Sequence, residues 1–284
     1  MARREAERDG ARVVALTFDP HPLALLAPER APSTLTHITR RAELLLQAGA
    51  DEVVIAPFDA RFARLTATEF TAHELAEKLH ASAIIIGPDF RFGQGRAGDI
   101  ALLREEGARL GFRVVVAETI PAADVTRVSS TSVREALVRG DVSTAARMLG
   151  RVHEIDGEII HGQAKGRTIG FPTANLAASN VLLPRDGVYA VVGRVLGEEG
   201  PLLTGVANLG VRPTLGAGRS VEVHLFDTQR DLYGKTLRVG FVERLRDEQK
   251  FDGLSALVAQ IDVDAKRARG IASAYAEAAP GALR

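Results

Sequence analysis

The stretch that most constrains this chain is Gly162 to Asn175, GQAKGRTIGFPTAN. Gly162, Gly166 and Gly170 recur every four residues. Lacking side chains, they permit φ > 0 and let backbone N–H groups close on a ligand. Successive N–H groups in such a loop form an anion-binding concavity. Lys165 and Arg167 add positive charge, and a guanidinium can fork onto a phosphate. Thr173 and Asn175 offer a hydroxyl and an amide oxygen, hard donors of the kind a Mg2+–phosphate complex accepts. A Gly-rich turn before Phe-Pro also fits a plain loop between strands. The stretch is not a Walker A loop, which needs a different glycine spacing followed by Gly-Lys-Ser/Thr.

The bulk of the sequence excludes several classes. With 284 residues the chain is long enough for two domains. Its 36 basic and 36 acidic residues cancel, so no net field favours nucleic acid or a membrane surface. There is no cysteine, hence no disulfide framework and no thiolate metal site; a reducing cytoplasm is compatible with this. No apolar run approaches the ~20 residues of a membrane span. The start, MARREAERDGARVVALTF, has no apolar h-region and is not expected to act as a signal peptide.

In the first half, residues 3–9 read as a helix closed by Gly10. Apolar runs follow at 13–16, 53–55, 83–86 and 114–116, as expected for strands buried on both faces. Helical patterns at 40–48, 67–79 and 98–110 lie between them. This alternation predicts an open parallel α/β sheet, with ligands outside the carboxyl ends of its strands. The loops there are TFDPHP (17–22), GPDFRFG (87–93) and SSTSVR (129–134). The last opens a helix, and its hydroxyls with Arg134 fit either an ordinary N-cap or a phosphate site. Asp19 and His21 fit an acid/base pair or a Pro-shaped turn. His73 and Glu74 begin HELAE, not HExxH, which excludes the zinc-protease motif. His80 suits a helix end.

After a short helix at 142–149 the pattern switches to period 2, at 153–160, 187–192, 221–226 and 236–242. Short alternating strands with turn signals between them predict a small antiparallel barrel. Residues 251–268 read as a closing amphipathic helix with Leu254, Leu257, Val258 and Ile261 on one face. Alternation puts Val221, Val223 and Leu225 on one face of their strand and Glu222, His224 and Phe226 on the other. Glu222 fits a solvent-facing glutamate or a general base. Residues 205–214, GVANLGVRPT, read as a Gly/Pro loop, and 246–251, RDEQKF, as a charged lead-in to the helix.

The string GxxxGRxxGFPTAN closely resembles that of the riboflavin kinase family. TFDPHP, GPDFRFG and SSTSVR together resemble the nucleotidyltransferase half of the bifunctional riboflavin kinase/FMN adenylyltransferases of prokaryotes. The resemblance implies an α/β Rossmann-like nucleotidyltransferase domain over 1–149, incomplete at its start. It implies a riboflavin kinase domain over 150–284, a six-stranded antiparallel β-barrel with a C-terminal helix. The implied reaction moves the γ-phosphate of ATP to the riboflavin 5′-hydroxyl, with Mg2+, giving FMN. The implied partners are riboflavin, FMN and ATP, without nucleic acid or membrane, in the cytoplasm.

The same resemblance implies residue roles. Gly162, Lys165, Gly166 and Arg167 would cover the ATP phosphates, and Thr173 and Asn175 would hold Mg2+. Glu222 would be the catalytic base, in an ExHxxD context with His224 and Asp227, followed by Asp231, Tyr233, Gly234 and Leu237. Asn208 would support the site, and Arg246, Glu248 and Phe251 would lie on the flavin side. Many relatives have Pro where Asp247 stands, which implies a less rigid loop. In the other half, Asp89, Phe90 and Phe92 would face flavin, and Ser130, Thr131 and Arg134 would hold ATP phosphates.

One feature departs from the family. Its GxFDGxHxGH loop, whose histidines stabilise the transferring phosphate, does not occur here. The chain starts inside the helix expected after that loop, so the first sheet strand is absent and its neighbours are expected to be unpaired. Besides a bifunctional enzyme, the sequence leaves open a kinase with a silent second half, or a flavin-binding regulatory or scaffold protein without turnover. Intact Thr173, Asn175 and Glu222 argue against the last. Incubated with riboflavin, ATP and Mg2+, the chain as given is expected to yield FMN without FAD on chromatography. FAD beside FMN would show that the HxGH loop is not needed, and no FMN would favour the scaffold.

Overall fold

The computed structural model describes residues 1–118, 128–161, 170–178, 180–211, 219–228 and 230–284. They form two compact units. The first comprises 1–32 and 38–120, the second 33–37 and 121–284.

The first unit alternates strand and helix. Helix α1 (Ala2–Asp9) ends at Gly10, whose φ of 61° suits a glycine stop. Strands β1 (Val14–Asp19) and β2 (Glu52–Pro57) pair in parallel, as do β3 (Ala83–Ile86) and β4 (Arg113–Val116). Among them lie α2 (Pro22–Leu26), α3 (Ile38–Gln47) and α4 (Ala67–Glu69), which continues as a π-helical stretch, Phe70–Lys78. Helix α5 is Ile100–Leu110. Burial on both faces is not what the strands show: of their residues only Ala56 and Ile86 are buried. Among the described residues the strands form two separate pairs, not one sheet. A strand with a neighbour on one side only keeps part of its apolar surface accessible. The core of this unit is largely aromatic. Phe18, Phe58, Phe62, Phe70, Phe92 and Phe90 make a continuous chain of ring contacts, with centroids 5.4–6.1 Å apart.

The second unit is a closed barrel of six strands in the order β10-β5-β6-β9-β8-β7. They are β5 (His153–Ile160), β6 (Ala174–Ala178), β7 (Gly187–Val195), β8 (Leu203–Val211), β9 (Arg219–Leu225) and β10 (Thr236–Arg246). Closure leaves no sheet edge. The interior is filled by Ile155, Tyr189, Val191, Ala207, Leu209, Val223, Leu237, Val239 and Phe241, all at 1% exposure or less. Helices α6 (Ser130–Arg139) and α7 (Val142–Leu149) belong to this unit and send Val133, Leu137, Val142 and Ala145 into the same core. Residues 205–211 are not a loop but the body of β8. Gly205 belongs in a strand here because a Cβ would meet the His224 carbonyl oxygen at 2.5 Å. The last helix, α8, runs Leu254–Ala278, ten residues past the predicted end. Ala265, Ala268, Ile271 and Ala272 prolong its apolar stripe, and small residues let it lie against the barrel wall.

Among the buried polar residues of the barrel strands, Arg238 and His153 bear most on stability. Arg238, 2% exposed, forks onto Asp156 across β10 and β5 at 2.8 and 2.9 Å. Removing one member of a buried pair strands the other charge, so Asp156→Ala is expected to destabilise the barrel by about 3–5 kcal/mol in urea unfolding. The double change Asp156→Leu with Arg238→Met is expected to restore most of that loss. His153 is fully buried, its ring stacked on Phe241 and its Nε2–H donating to the Leu182 carbonyl at 2.8 Å. Among the described residues its Nδ1 has no partner, so a proton there would be unsatisfied, and burial pushes the imidazole down to about 4. The folded value lies below the unfolded one, so protonation favours unfolding. Stability is expected to be complete above pH ~6.5 and to fall by about 3 kcal/mol as pH drops towards the folded value. His153→Gln is expected to flatten that part of the pH profile.

Candidate active site on the outer wall of the barrel

Antiparallel register decides which side chains share a face. Asn175 on β6 lies opposite Glu222 on β9, and Glu222 lies opposite Asn208 on β8. The row continues to Val188 on β7 and Arg246 on β10. Sequence neighbours of this row, among them Leu176, Val221, Val223, Ala207 and Leu209, point into the core. The row of five therefore belongs to the outer wall. Arg246 joins it because β10 slips register twice, between Phe241 and Glu243 and between Arg244 and Arg246. Such bulges re-aim side chains next to functional sites.

A cavity of about 600 Å³ lies over Val188, Asn208, Glu222 and Arg246 of this row, within the size of small-molecule sites. The wall contributes Val188, Val206, Asn208, Glu222 and His224, and the opposite side is built by the 246–253 loop with Leu254, Leu257 and Ile261 of α8. A second cavity of about 450 Å³ is lined by His161, Pro172, Thr173, Asp231 and Tyr233, among others. Thr173 borders both.

Local contacts fix these side chains. The His224 Nδ1–H donates to the Pro172 carbonyl at 2.7 Å, tying β9 to the Phe171-Pro172-Thr173 segment. Rings of Phe171 and Phe226 stand edge-on to His224 at 5.5 and 5.6 Å. Asn175 is buried and Glu222 half-buried. Asp227 is paired with Arg269, whose hydrogen bond holds its carboxyl below the usual range, and Arg269 lies 4.4 Å over Phe226. Asp231 accepts from the Tyr233 N–H at 3.0 Å and so shapes its turn. Tyr233 stacks on His161 at 3.7 Å.

The 246–253 loop is anchored. The Asn208 amide donates to Glu248 Oε1 at 3.4 Å, and the Arg246 guanidinium lies 5.7 Å from the Phe251 ring centroid. Asp247 forms ion pairs with Arg244 at 2.6 Å and Arg185 at 3.5 Å, and the Arg244 hydrogen bond lowers its carboxyl from the ordinary value. These two ion pairs tether the loop by charge. Gly187 lets the loop approach: its φ is +150°, and a Cβ would meet the Arg246 carbonyl oxygen at 2.5 Å.

Gly162, Lys165, Gly166 and Arg167 lie outside the described residues. Thr173, Asn175, Glu222, Asn208, Arg246, Glu248 and Phe251 gather at or beside the larger cavity. Val188 and Asp264 also line the cavity and are not among the residues expected there from the sequence. Asp264 carried a signal: it falls on the stripe Leu254, Leu257, Ile261, where the helical period calls for an apolar residue.

The residues expected of the other half divide between the two units. In the first unit, Phe92 is buried in the core, stacked on Phe90 at 5.6 Å, beside exposed Asp89. His21 Nδ1 accepts the Leu23 N–H and caps α2, the turn-shaping alternative. In the second unit, Ser129 and Ser132 close a capping box on α6, leaving Ser130 and Thr131 exposed. Arg134 donates to the Ser33 carbonyl at 2.8 Å.

Comparisons with known proteins agree with this architecture. The riboflavin kinase family model matches residues 149–272 and the FAD synthetase model residues 1–132. The chain is 41% identical over 268 residues to the bifunctional riboflavin kinase/FMN adenylyltransferase of Escherichia coli K12, covering 94% of this chain and 85% of that one. The namesake from Pseudomonas fluorescens is 40% identical over 273 residues, with coverage of 95% and 86%. A solved structure from Streptococcus pneumoniae, named a macrolide-efflux protein, superposes with a TM-score of 0.79 at 30% identity, covering 94% of this chain and 86% of its own. Among the described residues here, no helix is long and apolar enough to cross a membrane. An α/β nucleotidyltransferase-type unit, a closed six-stranded barrel with its C-terminal helix, and relatedness along nearly the whole chain lead to one conclusion: this protein belongs to the bifunctional riboflavin kinase/FMN adenylyltransferase family.

Proposed function

We propose that this chain phosphorylates riboflavin at its 5′-hydroxyl, taking the γ-phosphate of ATP and releasing FMN and ADP, on the barrel face that carries Glu222. The observation that supports this most is that Glu222 and Asn208, paired in register, line one cavity, with Asn175 opposite Glu222 on β6 and Thr173 shared between that cavity and a second. A two-substrate transfer needs two binding volumes that meet at the reacting atoms. The larger cavity, with Val188, Val206, Leu254, Leu257, Ile261 and Phe251, suits a flat tricyclic ring. The smaller, with the His161–Tyr233 stack and Asp231, suits the nucleotide.

Phosphoryl transfer depends on positioning and charge neutralisation more than on covalent chemistry. Glu222 accepts the hydroxyl proton as the oxygen attacks the γ-phosphorus and the bond to the β-phosphate oxygen breaks. Asn208 holds Glu248 and so keeps the loop over the flavin. The Thr173 hydroxyl, at the junction, and the amide oxygen of Asn175, two residues further on, are hard donors of the kind that fits Mg2+. When bound, the ion would neutralise charge on the phosphates. Gly162, Lys165, Gly166 and Arg167 would cover those phosphates through backbone N–H groups and two cationic side chains. Over residues 1–132 the match to the FAD synthetase model supports the framework of a second activity, transfer of the adenylyl group of ATP to FMN with release of pyrophosphate, but the HxGH loop that serves this step in the family does not occur in the chain. We also propose that 1–149 and 150–284 are the two functional domains.

Glu222→Gln keeps the side-chain volume and removes the base. Turnover is expected to fall by about 10²-fold or more, with the riboflavin Kd, read by quenching of flavin fluorescence, little changed. Turnover near that of the parent would overturn the role of Glu222.

A further inference from the structure

Asp264 is a carboxylate where the fold asks for an apolar side chain. On α8 it follows Leu254, Leu257 and Ile261 at spacings of three and four, and Ala268 and Ala272 follow it. It is 6% exposed and borders the same cavity as Glu222. Its Oδ2 accepts from Arg246 Nε at 2.9 Å and Nη2 at 2.7 Å, and its Oδ1 from Gln260 at 3.0 Å.

Packing does not explain this choice. A buried ion pair stabilises no better than well-packed apolar residues of similar volume, and leucine here would complete the stripe. What the carboxylate does is orient a guanidinium. With Nε and Nη2 held, Arg246 directs Nη1 to the Asp247 carbonyl at 2.8 Å and lies over the Phe251 ring. One planar group thus touches the start and the end of the 247–251 segment that closes one side of the cavity. Arg246 belongs to the same cross-strand row as Glu222. The orientation of that closing segment is therefore coupled to the wall that bears the base.

Resting on the reading that the larger cavity takes the flavin, we propose that Asp264 is a positioning residue for riboflavin: from the C-terminal helix it locks Arg246, and through Arg246 the Asp247–Phe251 segment, into the flavin-binding arrangement. It touches neither the transferred phosphate nor the base, so it governs flavin affinity and leaves the chemical step alone.

The test uses Asp264→Asn and Asp264→Leu in the full chain, with and without Arg246→Met. Steady-state kinetics give KM for riboflavin and for ATP and kcat, fluorescence quenching gives the riboflavin Kd, and urea unfolding monitors the fold. Loss of a charged, two-point hydrogen bond is expected to raise riboflavin KM and Kd by about tenfold. ATP KM and kcat are expected to stay within about twofold; Asp264→Leu alone strands the Arg246 charge and is expected to lower the urea midpoint, and Asp264→Leu with Arg246→Met to recover most of that loss. Because Asp264 acts through Arg246, its replacement is expected to add nothing in the Arg246→Met background. Unchanged riboflavin KM and Kd in a folded Asp264→Leu protein would overturn the proposal, as would effects additive with Arg246→Met or a fall in kcat alone. Glu222→Gln assayed alongside separates the two readings. If that variant turns over like the parent while the Asp264 variants lose flavin affinity, the catalytic assignment fails and the positioning role stands.

Discussion

Hydrogen-bond register around the closed barrel is the constraint on which the site depends. Side chains alternate along each strand, so a slip of one residue would exchange interior and exterior along its whole length. The interior tolerates no such exchange, because Val221, Val223, Ala207 and Leu209 fill it at 1% exposure or less. Their burial obliges Glu222 and Asn208 to face outward, and pairing between strands sets them side by side. The site thus inherits its geometry from the packing of the residues between its members.

The outer wall becomes a cavity only because something lies over it. Helix α8 brings an apolar stripe, and the segment before it brings Glu248 and Phe251. Both are held by charge: Asp264 and Asp247 each take a guanidinium, from Arg246 and Arg244. Charge pairs are poor sources of stability, whether buried like Asp264–Arg246 or exposed like Asp247–Arg244, but they impose a fixed orientation on planar groups. The apolar core supplies the stability that lets these pairs serve geometry.

The α/β unit follows a different plan. Its strands form two parallel pairs, and its core is a chain of six phenylalanine rings. Phe92 shows how a residue in a recognisable motif also carries packing: it is 6% exposed, between Phe70 and Phe90. Ser129 and Ser132 likewise spend their hydroxyls on the cap of α6. Motif residues that satisfy the fold and those that remain accessible, such as Ser130 and Thr131, are distinguishable only once the contacts are known.

Much was legible in the sequence because it depends on local order. Alternation gave four of the six barrel strands and the outward face of Glu222, and the motif strings gave the family. Residues 205–211 of β8 resemble a loop in sequence because their glycines mimic turn chemistry; in the barrel Gly205 meets the demand of a backbone passing His224 closely. β6 was hidden behind the Phe-Pro segment, and α8 ran past its predicted end on small residues whose value lies in contact with the wall. The sequence by itself determined the family and the faces of the barrel strands it marked, and it named residue types for the proposed site, since periodicity and motif spacing act over a few residues. Only the tertiary structure decided that Asn175, Glu222, Asn208, Val188 and Arg246 form one row and that Asp264 reaches Arg246. Those relations join residues far apart in the chain, through barrel closure and the docking of one helix, and no local pattern encodes them.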